Sequence, residues 1–566
     1  MDNIDQEIID TRSDRDVVNI STLLSQKAKI QSYKRAVVYP VTRDSNGHRA
    51  YAHLTFLQLE KQTDMLAAGL TKVGLRHGDK TALMIGPGPD FFTITFALFK
   101  IGAIPVIVDP GMGINSMLRC LQESQPRVFI GMPKAHLLRI MFPKYFKSVQ
   151  TCVTVGRRWF WGGFKLNQLC PGQWEPFQAA DTHRDDMAAI LFTTGSTGPP
   201  KGTVYTHGNF DAQVRHIQAH FQIMPEEIDL PTFPLFALFD PALGMTAVIP
   251  DMDPTKPAMV NPENIIEPIL DHGVTNMFAS PALLNRVGRY GKNHSIKLPS
   301  LYRVVSAGAP VHPSNIEQFS VMLNEDTEIH TPYGATEAVP VISIGSHEIL
   351  SKTRQLSEQG FGNCIGLPLE GIDVRLIKVS DEPISEWNDE LEMPQGDIGE
   401  IIVKGGLVTR EYYNRPDSTA LAKIADGNEF WHRMGDLGWM DKTGRVWFCG
   451  RKNHRVVTEN GMLYSIPCEA IFNNHPRVMR SALVGLGAPP SQKPVIVIEL
   501  EENDPGKDKQ ALTHELLTMA RENPLTETID TILFKKKLPV DIRHNSKIFR
   551  EKLAEWAAGK VGKYFA

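Results

Sequence analysis

The stretch Ala188-Ala189-Ile190-Leu191-Phe192-Thr193-Thr194-Gly195-Ser196-Thr197-Gly198-Pro199-Pro200-Lys201-Gly202 decides how the rest of this 566-residue chain is read. Its first five residues are an apolar run that ends at turn formers, the pattern of a buried strand. Its glycines free backbone N–H groups to converge on an anion. The hydroxyls of Thr193, Thr194, Ser196 and Thr197 add donors and Lys201 adds a charge, a set that suits the phosphates of a nucleotide. It is not a Walker A loop, which needs Gly-Lys followed by Ser or Thr; here the lysine follows two prolines and precedes a glycine.

Outward from this loop, strand-like and helix-like segments alternate. Thr81–Ile85, Ile104–Val108 and Val128–Ile130 are short apolar runs, whereas Phe91–Ile101 and Ile114–Glu123 have helical length, with Gly and Pro at the junctions. That is the signature of βαβ units on a parallel sheet. It returns at Gly273–Phe278 and Leu301–Ser306, so the fold class expected is α/β, a large N-terminal body of parallel-type sheets with flanking helices. After Gly450 the pattern changes. Ser481–Gly485, Pro494–Leu500 and Thr531–Phe534 read as strands and Lys509–Arg521 as a helix, ahead of a basic ending. The expected division is residues 1–452 for nucleotide and acyl binding and 453–566 for a small mobile α+β lid, hinged at Asn453 in the polar link Arg451-Lys452-Asn453-His454-Arg455.

Composition narrows the function classes. Sixty Lys+Arg against 64 Asp+Glu leave a net charge of −4, without the concentrated positive charge that a nucleic-acid partner requires. The six cysteines are scattered with no CxxC pair, which reads as free thiols in a reducing cytoplasm. The polar, acidic start is unlike a secretion signal, and the longest apolar stretch, Phe91 to Val108, is interrupted by Lys100, Gly102 and Pro105, so no transmembrane span is expected. One segment stands apart: between 134 and 165 lie Lys134, Arg139, Lys144, Lys147, Arg157, Arg158 and Lys165, several large aromatics and no acid. It reads either as a peripheral contact with a lipid surface or partner protein, or as an ordinary surface over an aromatic core.

Downstream come Ser306-Ala307-Gly308-Ala309-Pro310, Tyr333-Gly334-Ala335-Thr336-Glu337, Trp431-His432-Arg433-Met434-Gly435-Asp436-Leu437, Gly450-Arg451 and a last loop from Pro539 to Arg550 that contains Lys547. In this order, after the glycine loop, they resemble the motifs of the adenylate-forming superfamily of acyl-CoA synthetases, peptide-synthetase adenylation domains and firefly-type luciferases. The resemblance implies ATP and Mg²⁺ as cofactors. It implies that Thr193, Thr194, Gly195, Ser196, Thr197, Gly198 and Lys201 hold phosphates, and that Gly308, Ala309, Pro310 and Gly334 meet adenine with Tyr333 stacked on it. Thr336 would meet the α-phosphate, Glu337 hold Mg²⁺, Asp436 bind the ribose hydroxyls, Arg451 contact ribose or phosphate, and Lys547 act as the catalytic lysine.

Departures from the wider superfamily narrow the resemblance. Acyl-CoA synthetases usually read Pro-Leu-Phe-His where this chain reads Pro234-Leu235-Phe236-Ala237, and the last loop has Asn545-Ser546 before Lys547. Together with the run from Thr232 to Gly244, Val248–Pro254 and Asp541–Asn545, they look like the OleC-type β-lactone synthetases of bacterial long-chain olefin biosynthesis. What that implies is ATP-dependent conversion of a 2-alkyl-3-hydroxy fatty acid to a β-lactone, with AMP and pyrophosphate released and partner enzymes of the same pathway nearby. Phe233, Phe236, Phe239, Leu243 and Met245 lie beside the expected acyl site, and Asp240, Asp251, Asp253 and His207 are candidates for the base. The alternatives are a long-chain fatty acyl-CoA synthetase or acyl-AMP ligase and, in another class, a non-catalytic nucleotide-binding scaffold, for which Lys547 would have no use.

Overall fold

The computed structural model describes residues 17–170, 172–193, 199–501, 504, 508–541 and 547–564. Three large sheets make up the body. The first has seven strands in the spatial order Phe164–Lys165, Thr151–Thr154, Val128–Gly131, Lys80–Met84, Ile104–Val108, Met187–Thr193 and Lys201–Thr206. All neighbours in it are parallel except the last pair. The second also has seven strands, parallel from Glu328–His330 across to Arg35–Arg43, with Arg49–Thr55 closing it antiparallel. The third, eight-stranded, contains Tyr333–Ala335, Glu429–Met440 and Val446–Arg451, and its strand pairs are antiparallel.

The helix Pro89–Ile101 shows how sequence and packing agree. Proline at its first turn and Gly102 in the left-handed conformation at its end fix its bounds. It is apolar all round, and from Phe91 to Ile101 every residue is buried, as expected of a helix enclosed on all sides. Lys100, read above as a break in an apolar run, is itself buried: its ammonium meets Glu60 Oε1 at 2.6 Å and also Asp64. A charge taken out of water needs such partners.

Residues from Val456 onward build two apolar clusters of their own, one around Phe472, Ile496 and Leu516, the other around Val484, Val497 and Leu553. The three-stranded sheet Val478–Leu486, Lys493–Leu500 and Ile532–Phe534 carries both, with helices Ser465–Asn473, Lys509–Arg521 and Arg550–Tyr564. The basic ending is thus a helix, pinned by Leu553 and Ala557 one turn apart. The helix Ser465–Asn473 lies against the body segment Ser357–Phe361, and Asn474 donates to the carbonyl of Glu358 at 2.8 Å. All six cysteines are free, and among the described residues no helix is long and apolar enough to cross a membrane.

Candidate active site

The signature loop joins two neighbouring strands. Thr193 is in register with Lys201 and Phe192 with Gly202, so the two flanking strands pair antiparallel and Thr193 stands at the carboxyl end of Met187–Thr193, where open α/β sheets receive ligands. Thr193 and Lys201 are described; Thr194, Gly195, Ser196, Thr197 and Gly198 lie outside the described residues.

Two adjoining cavities open at this place. The first, of about 740 Å³, is lined by Thr193, Lys201, Thr336, Glu337, His432 and Lys547 at one end and by Phe96, Leu191, Phe233, Phe236 and Phe239 elsewhere. The second, of about 1370 Å³, is lined by Ala309, Pro310, Tyr333 and Asp436. Gly308, Gly334, Arg451 and Lys547 border both. The described residues expected to meet ATP, Mg²⁺ and the reacting phosphate therefore border these two cavities, which share lining residues.

Hydrogen bonds tie these residues into two groups. Thr193 and Thr336 share a hydroxyl contact of 2.9 Å, and Tyr205 donates to the Thr336 carbonyl, which fixes the strand end against the Tyr333–Ala335 turn. Gly334 has no alternative there, because a Cβ would stand 2.5 Å from the carbonyl oxygen of Ala338. In the other group Tyr333 donates to Asp436 Oδ2 at 2.6 Å and Arg451 meets Asp436 Oδ1 at 2.9 Å. Burial raises the Asp436 carboxyl, with Arg451 and Tyr333 opposing that shift, and burial beside Asp436 raises the Tyr333 phenol.

Around Glu337 the setting is different. Tyr412 donates to its Oε1 at 2.5 Å, Lys201 sits 4.9 Å from the centre of the Tyr412 ring, and Lys423, bonded to the carbonyl of Thr409, is lowered by burial to about 7. Among the described residues no group of three or more His, Cys, Asp or Glu could hold a metal by itself. A single carboxylate facing a phosphate-sized space does fit Mg²⁺, which keeps most of its ligands as water and phosphate oxygens.

Lys547 is held by its backbone, which donates to Asp541 Oδ1 at 2.9 Å and accepts from Asp541 N at 3.0 Å. Arg550, in the same motif, instead ties the last helix to Glu469 at 2.7 and 2.8 Å.

None of the four base candidates borders either cavity. His207 accepts from the backbone of Ile20 at 3.2 Å, and burial lowers it to about 4. Asp251 pairs with Arg49, and Asp253 closes a turn on Thr255. Asp240 is buried against Asp229, which takes a hydrogen bond from Asn276. The expectations at the acyl end divide similarly. Phe233, Phe236 and Phe239 line the cavity, whereas Leu243 and Met245 lie in the core behind it, because the short helix Phe239–Leu243 turns that face inward. Ala237, at the usual histidine's place, also belongs to that core.

The sequence reading missed His432. It lies in the long strand Glu429–Met440, buried, bonded to the backbone of Ala422 on one nitrogen while Nδ1 has no partner. Burial and the neighbouring ammonium groups of Lys423 and Lys201 hold it well below its usual value, so it is a neutral ring at the cavity wall whose buried Nδ1 has no hydrogen-bond partner. The available signal was a histidine within a buried strand run.

The Asp229–Asp240 pair has a consequence for stability. Burial raises both carboxyls, Asp229 to about 7 and Asp240 well above the ordinary value; the Asp229 charge raises Asp240 further, while hydrogen bonds from Asn276 and Asp240 hold Asp229 lower than burial alone would. Folding thus retains protons that the unfolded chain releases near pH 4. The pair's stabilisation is complete below that value and is lost as pH rises through the folded one, at about 1.4 kcal/mol per pH unit for each proton held. Asp240→Asn keeps a donor toward Asp229 with no proton to lose, so its thermal midpoint should depend less steeply on pH between about 4 and 7. A slope equal to that of wild type, followed by circular dichroism, would contradict this.

The chain belongs to the AMP-binding enzyme family, whose model it matches over residues 24–413, and it is an adenylate-forming ligase. It is 44% identical over 547 residues to the olefin beta-lactone synthetase of Xanthomonas campestris pv. campestris, covering 95% of this chain and 97% of that protein. It is also 44% identical over 554 residues to the protein of the same name from Stenotrophomonas maltophilia, covering 96% and 99%. Among solved structures, the amide bond synthetase McbA from Marinactinospora thermotolerans shares the fold with a TM-score of 0.77 at 20% identity, covering 95% of this chain and 99% of that one.

Proposed function

We propose that this chain uses ATP and Mg²⁺ to adenylate a long-chain 2-alkyl-3-hydroxy fatty acid and closes the product to a β-lactone. The observation that carries this reading is similarity over nearly the whole chain to two olefin beta-lactone synthetases. The cleft supports it, since an aromatic chamber runs into the space bordered by Thr336, Glu337 and Lys547. Tyr333 would stack on adenine, Asp436 and Arg451 take the ribose, Lys201 and the glycine loop the outer phosphates, and Glu337 the metal, which when bound neutralises phosphate charge.

The substrate carboxylate attacks the α-phosphorus and pyrophosphate leaves. Lys547, beside Thr336, offsets the charge that develops on the phosphoryl oxygens. In the second step the 3-hydroxyl oxygen attacks the acyl carbon of the same molecule, the acyl–phosphate bond breaks and AMP leaves. That attack has the proximity advantage that a separate thiol would have to gain by binding. We assign the hydroxyl proton to His432, which lines the chamber as a neutral ring and whose Nδ1 has no hydrogen-bond partner. Without any thiol, a long-chain 3-hydroxy acid should release AMP over many turnovers and its 3-deoxy analogue should not. His432→Phe should slow this release while pyrophosphate exchange into ATP persists. Equal turnover with the deoxy acid would overturn lactone closure, and an exchange rate that fell in step with AMP release would overturn the role of His432.

Residues 453–566 are proposed to move as a lid. Lys452 is tied to Glu400 at 3.1 Å and Arg455 to Asp381 at 2.5 Å, which brackets Asn453 in a short 3₁₀ turn. Proline suits the φ of such a turn, so Asn453→Pro should hold this arrangement and impair the step after adenylation more than adenylation itself. Equal losses in both half-reactions, measured by pyrophosphate exchange and product release, would place the hinge elsewhere.

A further inference from the structure

The loop between the strands Thr151–Thr154 and Phe164–Lys165 is at the outer edge of the first sheet, away from the strands that carry the nucleotide loop. Its centre is fixed. Trp161 is buried, stacks on His136 with ring centres 5.2 Å apart and donates to Thr154 Oγ1 at 2.9 Å. Gly163 then passes so near the Cys152 carbonyl that any Cβ would collide with it. The anchored turn pushes its neighbours outward: Trp159 is 50% and Phe160 75% exposed, and Met141, at the end of the helix that carries His136, is 71% exposed. Large apolar side chains held this far out, on a backbone that cannot fold them back, need an occupant for that face.

The charge around them says what kind. No acidic residue occurs between Glu123 and Glu175, while seven lysines and arginines fall between 134 and 165. Lys134, Lys144, Lys147 and Arg157 are exposed, and among the described residues none of the seven pairs with a carboxylate. On a chain of net charge −4 this is a local reversal of sign. Exposed aromatic tips in a stretch rich in cations without carboxylate partners match the boundary of an anionic bilayer, where rings settle at the headgroup level and cations meet lipid phosphates.

We infer that this edge, with Trp159 and Phe160 at its tip, docks the enzyme reversibly on an anionic membrane surface. The contact is peripheral, made by side chains alone.

The test is sedimentation of the full-length protein with vesicles of phosphatidylethanolamine containing phosphatidylglycerol, beside vesicles of phosphatidylcholine alone. Binding should require the anionic lipid, weaken as salt is raised, and shift the Trp159 emission to shorter wavelength. W159A/F160A should lower the bound fraction on the order of tenfold, and K147E/R157E should abolish the preference for anionic lipid. Both variants should retain wild-type turnover on substrate dispersed in detergent, which shows that they fold. Absence of binding, equal binding to both vesicle types, or wild-type binding by W159A/F160A would overturn the proposal. So would a self-association in solution that these substitutions abolish, which would make the patch a protein interface.

Discussion

Lys547→Ala is expected to lower the rate of adenylation by about 10²–10³-fold, the usual cost of removing one preorganised charge from a reacting centre. The lysine is carried by a segment whose ends are joined through Asp541, and it borders both cavities. The other two described cations assigned to the nucleotide have partners of their own: Arg451 is engaged by Asp436, and Lys201 stands over the Tyr412 ring. Because Tyr333, Asp436 and Arg451 are untouched by the change, ATP affinity should stay near that of wild type. The loss should therefore appear in the rate of pyrophosphate exchange and not in nucleotide binding. An exchange rate within a few-fold of wild type would remove Lys547 from the reaction.

The second large effect is chain length. Phe236 stacks on Phe278 with ring centres 4.1 Å apart and stands 5.7 Å from Phe233, which gives the chamber a stiff aromatic wall. Each methylene buried there contributes about 0.8 kcal/mol, roughly fourfold in kcat/KM, so five further methylenes accumulate to about 10³ before the chamber fills. A series of 3-hydroxy acids of increasing length should show this rise and then a plateau. A kcat/KM that is flat from short to long chains would contradict an acyl role for the chamber.

How much of this was legible in the sequence differs from element to element. The runs at Lys80–Met84 and Ile104–Val108 and the helix Pro89–Ile101 were plain because each is enclosed on all sides and reads as continuous apolar text. The eight-stranded antiparallel sheet was not separated from the parallel body. Its long strand Glu429–Met440 carries His432, Arg433 and Asp436 in buried positions, where site and ion-pair requirements override alternation. Arg433, for instance, meets Glu400 at 2.6 Å in the interior. The last helix read only as a basic ending because, among the described residues, Leu553 and Ala557 are the only fully buried positions along it. Within the site, the order of short motifs identified the nucleotide end, since glycines and hydroxyls are constrained by local chemistry. The base candidates failed for the opposite reason: whether Asp240 faces a cavity or Asp229 depends on how the helix Phe239–Leu243 packs against a strand that begins at Ile228.

The central claim is the fate of the acyl-adenylate, and it turns on which nucleophile reaches the acyl carbon. A chamber that keeps water from the adenylate leaves the substrate's own hydroxyl as the nearest attacking group. The direct measurement is to incubate the protein with ATP, Mg²⁺ and a long-chain 2-alkyl-3-hydroxy acid, with and without coenzyme A, and to identify the product by NMR. The account predicts the β-lactone, with AMP and pyrophosphate, in both mixtures and at equal rates. A thioester formed only when coenzyme A is present, with no lactone in its absence, would contradict it.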